Sequence, residues 1–299
     1  MPDPEIPPVP WTPANFLALP PEQSSLDAAA AVLIPVPIDS TTSFRTGARH
    51  GPAAIITASA ALEDYDIELG VDVADFGIHT APPLEPHVGD PYKMVERVQA
   101  AVAHYAAHGS GRLTGVIGGD HSASIGSAFA HLDRTPNLSV LYIDAHADLR
   151  DAYQGTGWGH ASGARRIAER CPVSLVGVRT LAYEERQYVE RCPVPVCFWP
   201  PGIERELGDI IAGLSSDVYI SIDLDVLDPA EMPAVGTPEP GGMRWLELTG
   251  ILRRVCQGRH IVGFDVCELA PDQGLPAHSY TAAKLVYKLI AYALALRSR

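Results

Sequence analysis

The sequence predicts an α/β protein in three layers, with helices covering both faces of a largely parallel sheet. Short β-branched or Leu-rich runs alternate with longer Ala-rich segments of helical period, the order that βαβ units impose. Four of those runs end in ionisable residues, and open parallel sheets bind their ligands at the carboxyl ends of the strands. Proline density falls after the first ~25 residues, and no repeat, low-complexity tract or linker follows. Residues 26–299 therefore read as one compact domain behind a Pro-rich N-terminal arm, residues 1–25.

Strands are expected at 30–36, 114–117, 139–143, 174–178, 217–222 and 261–266. Helices are expected between them. Residues 90–108 place Met94, Val95, Val98, Val102 and Tyr105 on one helical face, and Asp90-Pro91 suits an N-cap followed by a first-turn proline. A second helix is read over 244–256, stopping before Gly258. The apolar stretch 280–296 carries Lys284 and Lys288 at helical spacing, as expected of an amphipathic helix closing a globular domain. Within the arm, Trp11 to Leu19 offers apolar residues for packing on a neighbouring copy.

A chain of 299 residues with 46% hydrophobic and 19% charged residues can bury a large core. Its net charge of −14, without a basic block, argues against a nucleic-acid partner and favours cationic ligands, although solubility alone accounts for much of the acidity. Five scattered cysteines (Cys171, Cys192, Cys197, Cys256, Cys267), with no CxxC pair, suit reduced thiols and a cytoplasmic setting. The N-terminus has no positive n-region and no apolar h-region, and no stretch approaches a membrane span.

The chemistry is concentrated at strand ends. Residues 118–122 read Gly-Gly-Asp-His-Ser, 144–148 read Asp-Ala-His-Ala-Asp, 223–225 read Asp-Leu-Asp, and Glu268 follows the last strand. A spacing of two keeps side chains on one face of an extended segment, so Asp144, His146 and Asp148 can converge, as can Asp223 and Asp225. Four carboxylates packed together repel strongly unless cations sit among them. Each fragment alone has an ordinary explanation: a strand-end Asp caps a helix, His121 occupies a turn, Gly118-Gly119 bends the chain, and His160 decorates a surface loop. Three strand ends carrying the right ligand types together outweigh those explanations and point to a metal centre. Oxygen-rich ligation with two imidazoles suits manganese, and imidazole also admits nickel, zinc or iron.

In this order, these segments resemble the metal-binding signatures of the ureohydrolase family, which includes arginase and agmatinase. The resemblance spans nearly the whole chain, from Pro37-Ile38-Asp39 and the stretch 43–52, through 236–242, to Glu268. It implies an arginase-like fold and two Mn2+ per chain, one held by His121, Asp144, Asp148 and Asp223 and the other by Asp144, His146, Asp223 and Asp225. It also implies water activated between the metals, Glu268 accepting a forked hydrogen bond from a guanidinium, Asp148 passing a proton to the leaving nitrogen, and His160 exchanging protons with solvent. A homotrimer or homohexamer is expected on the same ground. Residues 148–153, 177–185 and 236–241 look like agmatinase, and Ala182 stands where arginases carry an acid. The expected reaction is agmatine to putrescine and urea. Residues 122–126 look more like arginase, so aminopropylagmatine, guanidinobutyrate, guanidinopropionate, guanidine and arginine stand as alternatives. A single-metal deacetylase relative would carry a paired-histidine base, which is missing here, and a silent binding relative would have a broken ligand set.

Overall fold

The computed structural model describes residues 11–108, 111–192, 194–200 and 203–297, so the first ten residues of the expected arm lie outside the described chain. In chain order the elements begin with α1 (Pro21–Ser24), β1 (Ala31–Val36), α2 (Gly51–Ser59), the two-residue strands β2 (Tyr65–Asp66) and β3 (Val71–Asp72), β4 (Ile78–Thr80) and α3 (Pro91–Ala107). Then come β5 (Leu113–Gly118), α4 (Ala123–Leu132), β6 (Ser139–Ile143), α5 (Gly163–Ala168), β7 (Val173–Val178) and α6 (Tyr183–Arg191). The chain continues with β8 (Val196–Phe198), α7 (Ile203–Gly213), β9 (Asp217–Asp223), α8 (Trp245–Gly258), β10 (His260–Cys267) and α9 (Pro276–Ala295).

Eight of the described strands form one sheet in the order β4, β1, β5, β10, β9, β6, β7, β8, and every neighbouring pair is parallel. Successive side chains on a strand point to opposite faces, so each strand feeds two cores. On one side Leu33, Leu113, Leu141 and Ile220 pack with Ile55 of α2, Leu248 of α8 and Leu285 of α9. On the other, Val140, Tyr142, Leu175 and Tyr219 meet Ile125 and Phe129 of α4 and Ile167 of α5. Val32, Ile34 and Val116 meet Met94, Val98 and Val102 of α3. This is the three-layer arrangement expected of nearly all-apolar parallel strands.

The six expected strands form, shifted by at most a residue or two at their ends. The edge strands β4 and β8 have three residues each, too few for a pattern to stand out. Asp90 caps α3 by accepting from the N–H groups of Tyr92 (2.9 Å) and Lys93 (3.4 Å). Helix α8 runs through Gly258 instead of stopping before it, because that residue keeps φ outside the left-handed region. In α9, Lys288 is neutralised by Asp66 (2.7 Å) and Glu68 (2.8 Å) beside the β2–β3 turn. No described helix is long and apolar enough to cross a membrane.

The apolar residues near the N-terminus serve their own chain. Phe16 is fully buried and Leu19 nearly so, within the core that contains Ile55. Their segment is pinned by hydrogen bonds from Phe16 N–H to Thr80 Oγ1 (3.0 Å) and from Leu17 N–H to Ser59 Oγ (2.8 Å). Of the apolar residues expected to meet a neighbour, these two are spent on intramolecular packing.

Candidate metal centre

The sheet order sets the carboxyl ends of β5, β10, β9 and β6 side by side in the middle of the molecule. His121 follows β5, Glu268 follows β10, Asp223 ends β9 with Asp225 in the turn beyond, and Asp144, His146 and Asp148 follow β6. The exit from β5 is drawn against that from β1 by bonds from Gly119 N–H to Val36 O (2.8 Å) and Asp120 N–H to Ile38 O (2.6 Å). A Cβ on residue 119 would lie 1.7 Å from Ile38 O, so only glycine permits this approach. Glu268 N–H donates to Gly119 O (2.7 Å), tying the end of β10 to the same turn. At β6 and β9 the chain closes on itself alike: Asp144 Oδ1 accepts from His146 N–H (2.6 Å) and Asp223 Oδ1 from Asp225 N–H (2.8 Å).

These turns converge the expected ligands. His121 Nδ1 lies 3.0 Å from Asp144 Oδ2, 3.3 Å from Asp223 Oδ2 and 3.6 Å from Asp148 Oδ2. His146 Nδ1 lies 3.0 Å from Asp225 Oδ2 and 3.4 Å from Asp144 Oδ1. Two triads result, His121–Asp144–Asp148 and Asp144–His146–Asp225, each with its ligand atoms within 4.8 Å of one another. Asp144 belongs to both and turns one oxygen to each imidazole. Asp223 pairs with His121, on the first triad's side. A third group, His121–Asp265–Cys267, lies behind His121, but burial pushes the Cys267 thiol well above its usual range, which disfavours the thiolate a metal needs.

The donors fit divalent cations. Asp144, Asp148, Asp223, Asp225 and Glu268 are all buried, yet no described Lys or Arg pairs with any of them. The guanidinium of Arg179 is spent on the backbone carbonyls of Asp225 (2.6 Å) and Glu239 (2.7 Å). Burial, reinforced by neighbouring carboxylates, pushes Asp148, Asp223 and Glu268 well above the ordinary carboxyl range. Burial also pushes Asp144 upward, but hydrogen bonds from His121 and His146 prevail and hold it below that range. The carboxylates raise both imidazoles against the opposing effect of burial. Without added positive charge the cluster takes up protons, and divalent cations supply that charge with the right oxygen and imidazole donors.

Other groups hold these candidate ligands in place. Tyr142 donates to Asp148 Oδ2 (2.7 Å) and stacks on His121 with ring centres 4.5 Å apart. Thr237 Oγ1 donates to Asp225 Oδ2 (3.3 Å), and His121 N–H to Glu268 Oε1 (2.8 Å). Asp148 (φ 49°) and Glu268 (φ 72°) both adopt left-handed backbone, a cost met by these bonds at the site. Buried Asp120 accepts from Thr41 N–H and Oγ1 (both 3.0 Å) and from Ser122. Thr41 Oγ1 in turn accepts from His160 N–H (3.1 Å), and the His160 ring sits between Thr41 Oγ1 (3.3 Å) and Ser43 Oγ (3.4 Å). Burial, together with His146 and His121, holds His160 below its usual value despite Asp120. His160, Asp148, His146, Asp223, Thr237 and Glu268 share a cleft of about 300 Å3. Tyr142 and Asp120 were not assigned a role from the sequence: Asp120 lies inside the Gly-Gly-Asp-His-Ser segment, whereas nothing local sets Tyr142 apart from a core aromatic.

Fold and site together define a three-layer α/β protein whose carboxylate and imidazole donors, suited to divalent cations, gather at the centre of a parallel sheet. The Arginase family model matches residues 29–292, and the chain belongs to that family, one of binuclear metal enzymes. It is 37% identical to the N(1)-aminopropylagmatine ureohydrolase of a Synechocystis species, over 88% of this chain and 89% of that one. It is 32% identical to the agmatinase of Pyrococcus horikoshii, over 87% and 90% of the two chains. Among solved structures, the agmatine ureohydrolase of Thermoplasma volcanium is similar with a TM-score of 0.81 and 28% identity, covering 91% of this chain and 92% of that one.

Proposed function

We propose that residues 26–299 act as one ureohydrolase domain that cleaves the guanidino group of a linear aliphatic amine, foremost agmatine, to putrescine and urea. The observation that carries the reading is Asp144, whose two oxygens are divided between the two imidazoles of adjoining triads. In this reading His121, Asp144, Asp148 and Asp223 hold one divalent cation and Asp144, His146, Asp223 and Asp225 the other, with manganese preferred and nickel able to replace it. Bound there, the pair supplies the Lewis acidity that makes water a usable nucleophile near neutral pH.

The protein's own groups then do the rest. Glu268 keeps Oε1 on the His121 N–H, while Oε2 lies toward Gly236 of the cleft wall, open to the forked hydrogen bond that a guanidinium makes with a carboxylate. That contact places the guanidinium carbon over the ligand cluster. Water adds its oxygen to that carbon, the bond from carbon to the alkyl-bearing nitrogen breaks, and both water protons end on the departing amine. Asp148, oriented by Tyr142, carries proton between the water and that nitrogen. His160, at the mouth, exchanges protons with solvent.

The cleft's fit to an amine rests on its charges. Arg150 is the cationic side chain of the wall, and it is already paired with Glu184 (2.9 Å) and stacked over Tyr153 (4.7 Å). Among the described residues of the cleft a substrate carboxylate therefore finds no spare Lys or Arg, whereas an alkylamine needs none. A second reading, N(1)-aminopropylagmatine, is supported by the relatives of that name in Synechocystis and Thermus thermophilus, the latter 38% identical over 88% of this chain. A cytoplasmic homotrimer or homohexamer completes the proposal; Cys171, Cys192, Cys256 and Cys267 are free thiols, as a reducing compartment favours. Urea release from agmatine, aminopropylagmatine and arginine, each with manganese, tests the substrate. Turnover of arginine alone would overturn it, and a monomer by sedimentation would remove the oligomer.

A further inference from the structure

Behind His121, on the side away from the ligand cluster, a string of buried polar groups runs into the core. Nδ1 of His121 faces Asp144, Asp223 and Asp148, whereas Nε2 faces Ser221 Oγ at 2.9 Å and Asp265 Oδ1 at 3.6 Å. Ser221 Oγ donates its proton to Asp265 Oδ1 (2.9 Å), so only its lone pairs remain for the imidazole. Nε2 must then carry a hydrogen, and Nδ1 is left with the lone pair that a metal requires. The other oxygen of Asp265 accepts from Tyr219 OH (2.7 Å), which also lies 2.6 Å from Ser127 Oγ on α4. Ser127, Tyr219, Ser221 and Asp265 are all at most 1% exposed.

A carboxylate in the middle of a parallel sheet is costly to bury, and an apolar residue would pack there without that cost. Its partners explain why it is placed there. The hydroxyls of Ser221 and Tyr219 and the Cys267 thiol, at 3.5 Å, all point to it, and among the described residues the basic side chain within ion-pair distance of it is the imidazole of His121. The string thus joins α4, β9 and β10 to the loop after β5, and it ends at a single ring nitrogen.

We infer that Asp265 is a positioning residue for metal binding: through Ser221 it fixes the proton of His121 on Nε2 and aims Nδ1 at the centre, with Tyr219 steadying the carboxylate. This rests on the metal-centre reading given above. The test strips metal from wild-type protein and from Asp265→Asn, Ser221→Ala and Tyr219→Phe, then titrates each with Mn2+ by calorimetry and follows metal-free unfolding by circular dichroism. Asp265→Asn is expected to bind one of two Mn2+ roughly 10–100-fold more weakly, with the other little changed. Ser221→Ala should weaken the same position, and Tyr219→Phe should do so to a smaller extent. A purely structural role would lower metal-free stability and leave the affinity of the folded protein unchanged. Wild-type affinities in both Asp265→Asn and Ser221→Ala overturn the inference; if Asp265→Asn does not fold, wild-type affinity in Ser221→Ala overturns it alone. A wild type that binds no Mn2+ instead overturns the metal-centre reading, and this inference with it.

Discussion

Glu268→Gln isolates substrate orientation from metal binding. The carboxylate has one oxygen committed: Oε1 accepts from His121 N–H at 2.8 Å. A glutamine is nearly isosteric, and to keep that bond it must place its carbonyl oxygen there. Its NH2 then faces the side of Gly236 and the cleft, where the guanidinium would arrive with donors only. A charge-assisted acceptor is lost and a donor opposes a donor. Losing a hydrogen bond to a charged group costs about 1.5–3 kcal/mol, so with the added mismatch about 3 kcal/mol is a fair central value. That corresponds to a fall in kcat/KM on the order of 10²-fold. Burial already raises the Glu268 carboxyl well above its usual range, so the neutral side chain should leave metal-free stability unchanged or higher. Steady-state urea release from agmatine, with manganese content measured in parallel, reads both quantities. A kcat/KM within a factor of about three of wild type would refute the assigned role of Glu268.

Asp144→Asn removes the carboxylate shared by both imidazoles and should cost metal at both positions, read as less than one Mn2+ per chain after dialysis; two retained metals would contradict the sharing. His160→Ala should slow kcat by roughly 10²-fold, with metal content intact and partial rescue by imidazole; an undiminished kcat would remove it from the proton path. His131 provides a pH test away from the cleft. Burial holds it down at about 4, against 6.5 in an unfolded chain, while its Nε2 meets Thr114 Oγ1 at 2.8 Å. The unfolded chain therefore takes up the proton first, and stability should be lost as pH falls from about 6.5 to about 4, by up to roughly 3 kcal/mol. In urea unfolding, the stability gap between wild type and His131→Gln should narrow from pH 7 to pH 5; a gap independent of pH would count against a buried neutral imidazole.

The ligand motifs were legible because each is local. A spacing of two in Asp144, His146 and Asp148, and again in Asp223 and Asp225, is visible without knowing which strands are neighbours. The lateral order was hidden, since β10 enters between β5 and β9 and nothing in residues 260–267 announces that slot. Asp265 was hidden for the same reason. Within its own strand it is one polar residue in an apolar run, and its partners Tyr219 and Ser221 lie 46 and 44 positions earlier on another strand. The docking of Phe16 and Leu19 also depends on a distant surface, near Ser59 and Thr80, that no window of neighbouring residues contains.

The position of β10 also bears on how the protein is made. Strands β5, β6 and β9 lie within residues 113–223, but β10 is added only after residue 260 and must enter the centre of the sheet. Until it does, β5 and β9 have open edges facing each other, and closing so long a chain segment is entropically slow. His121 and Asp144 can be synthesised early, yet the turn that holds His121 receives its bond from Glu268 N–H only when β10 arrives. During translation a nascent chain holds several of the donors before it holds the frame that spaces them. A chain interrupted before residue 260 would thus expose the centre of the sheet rather than its rim.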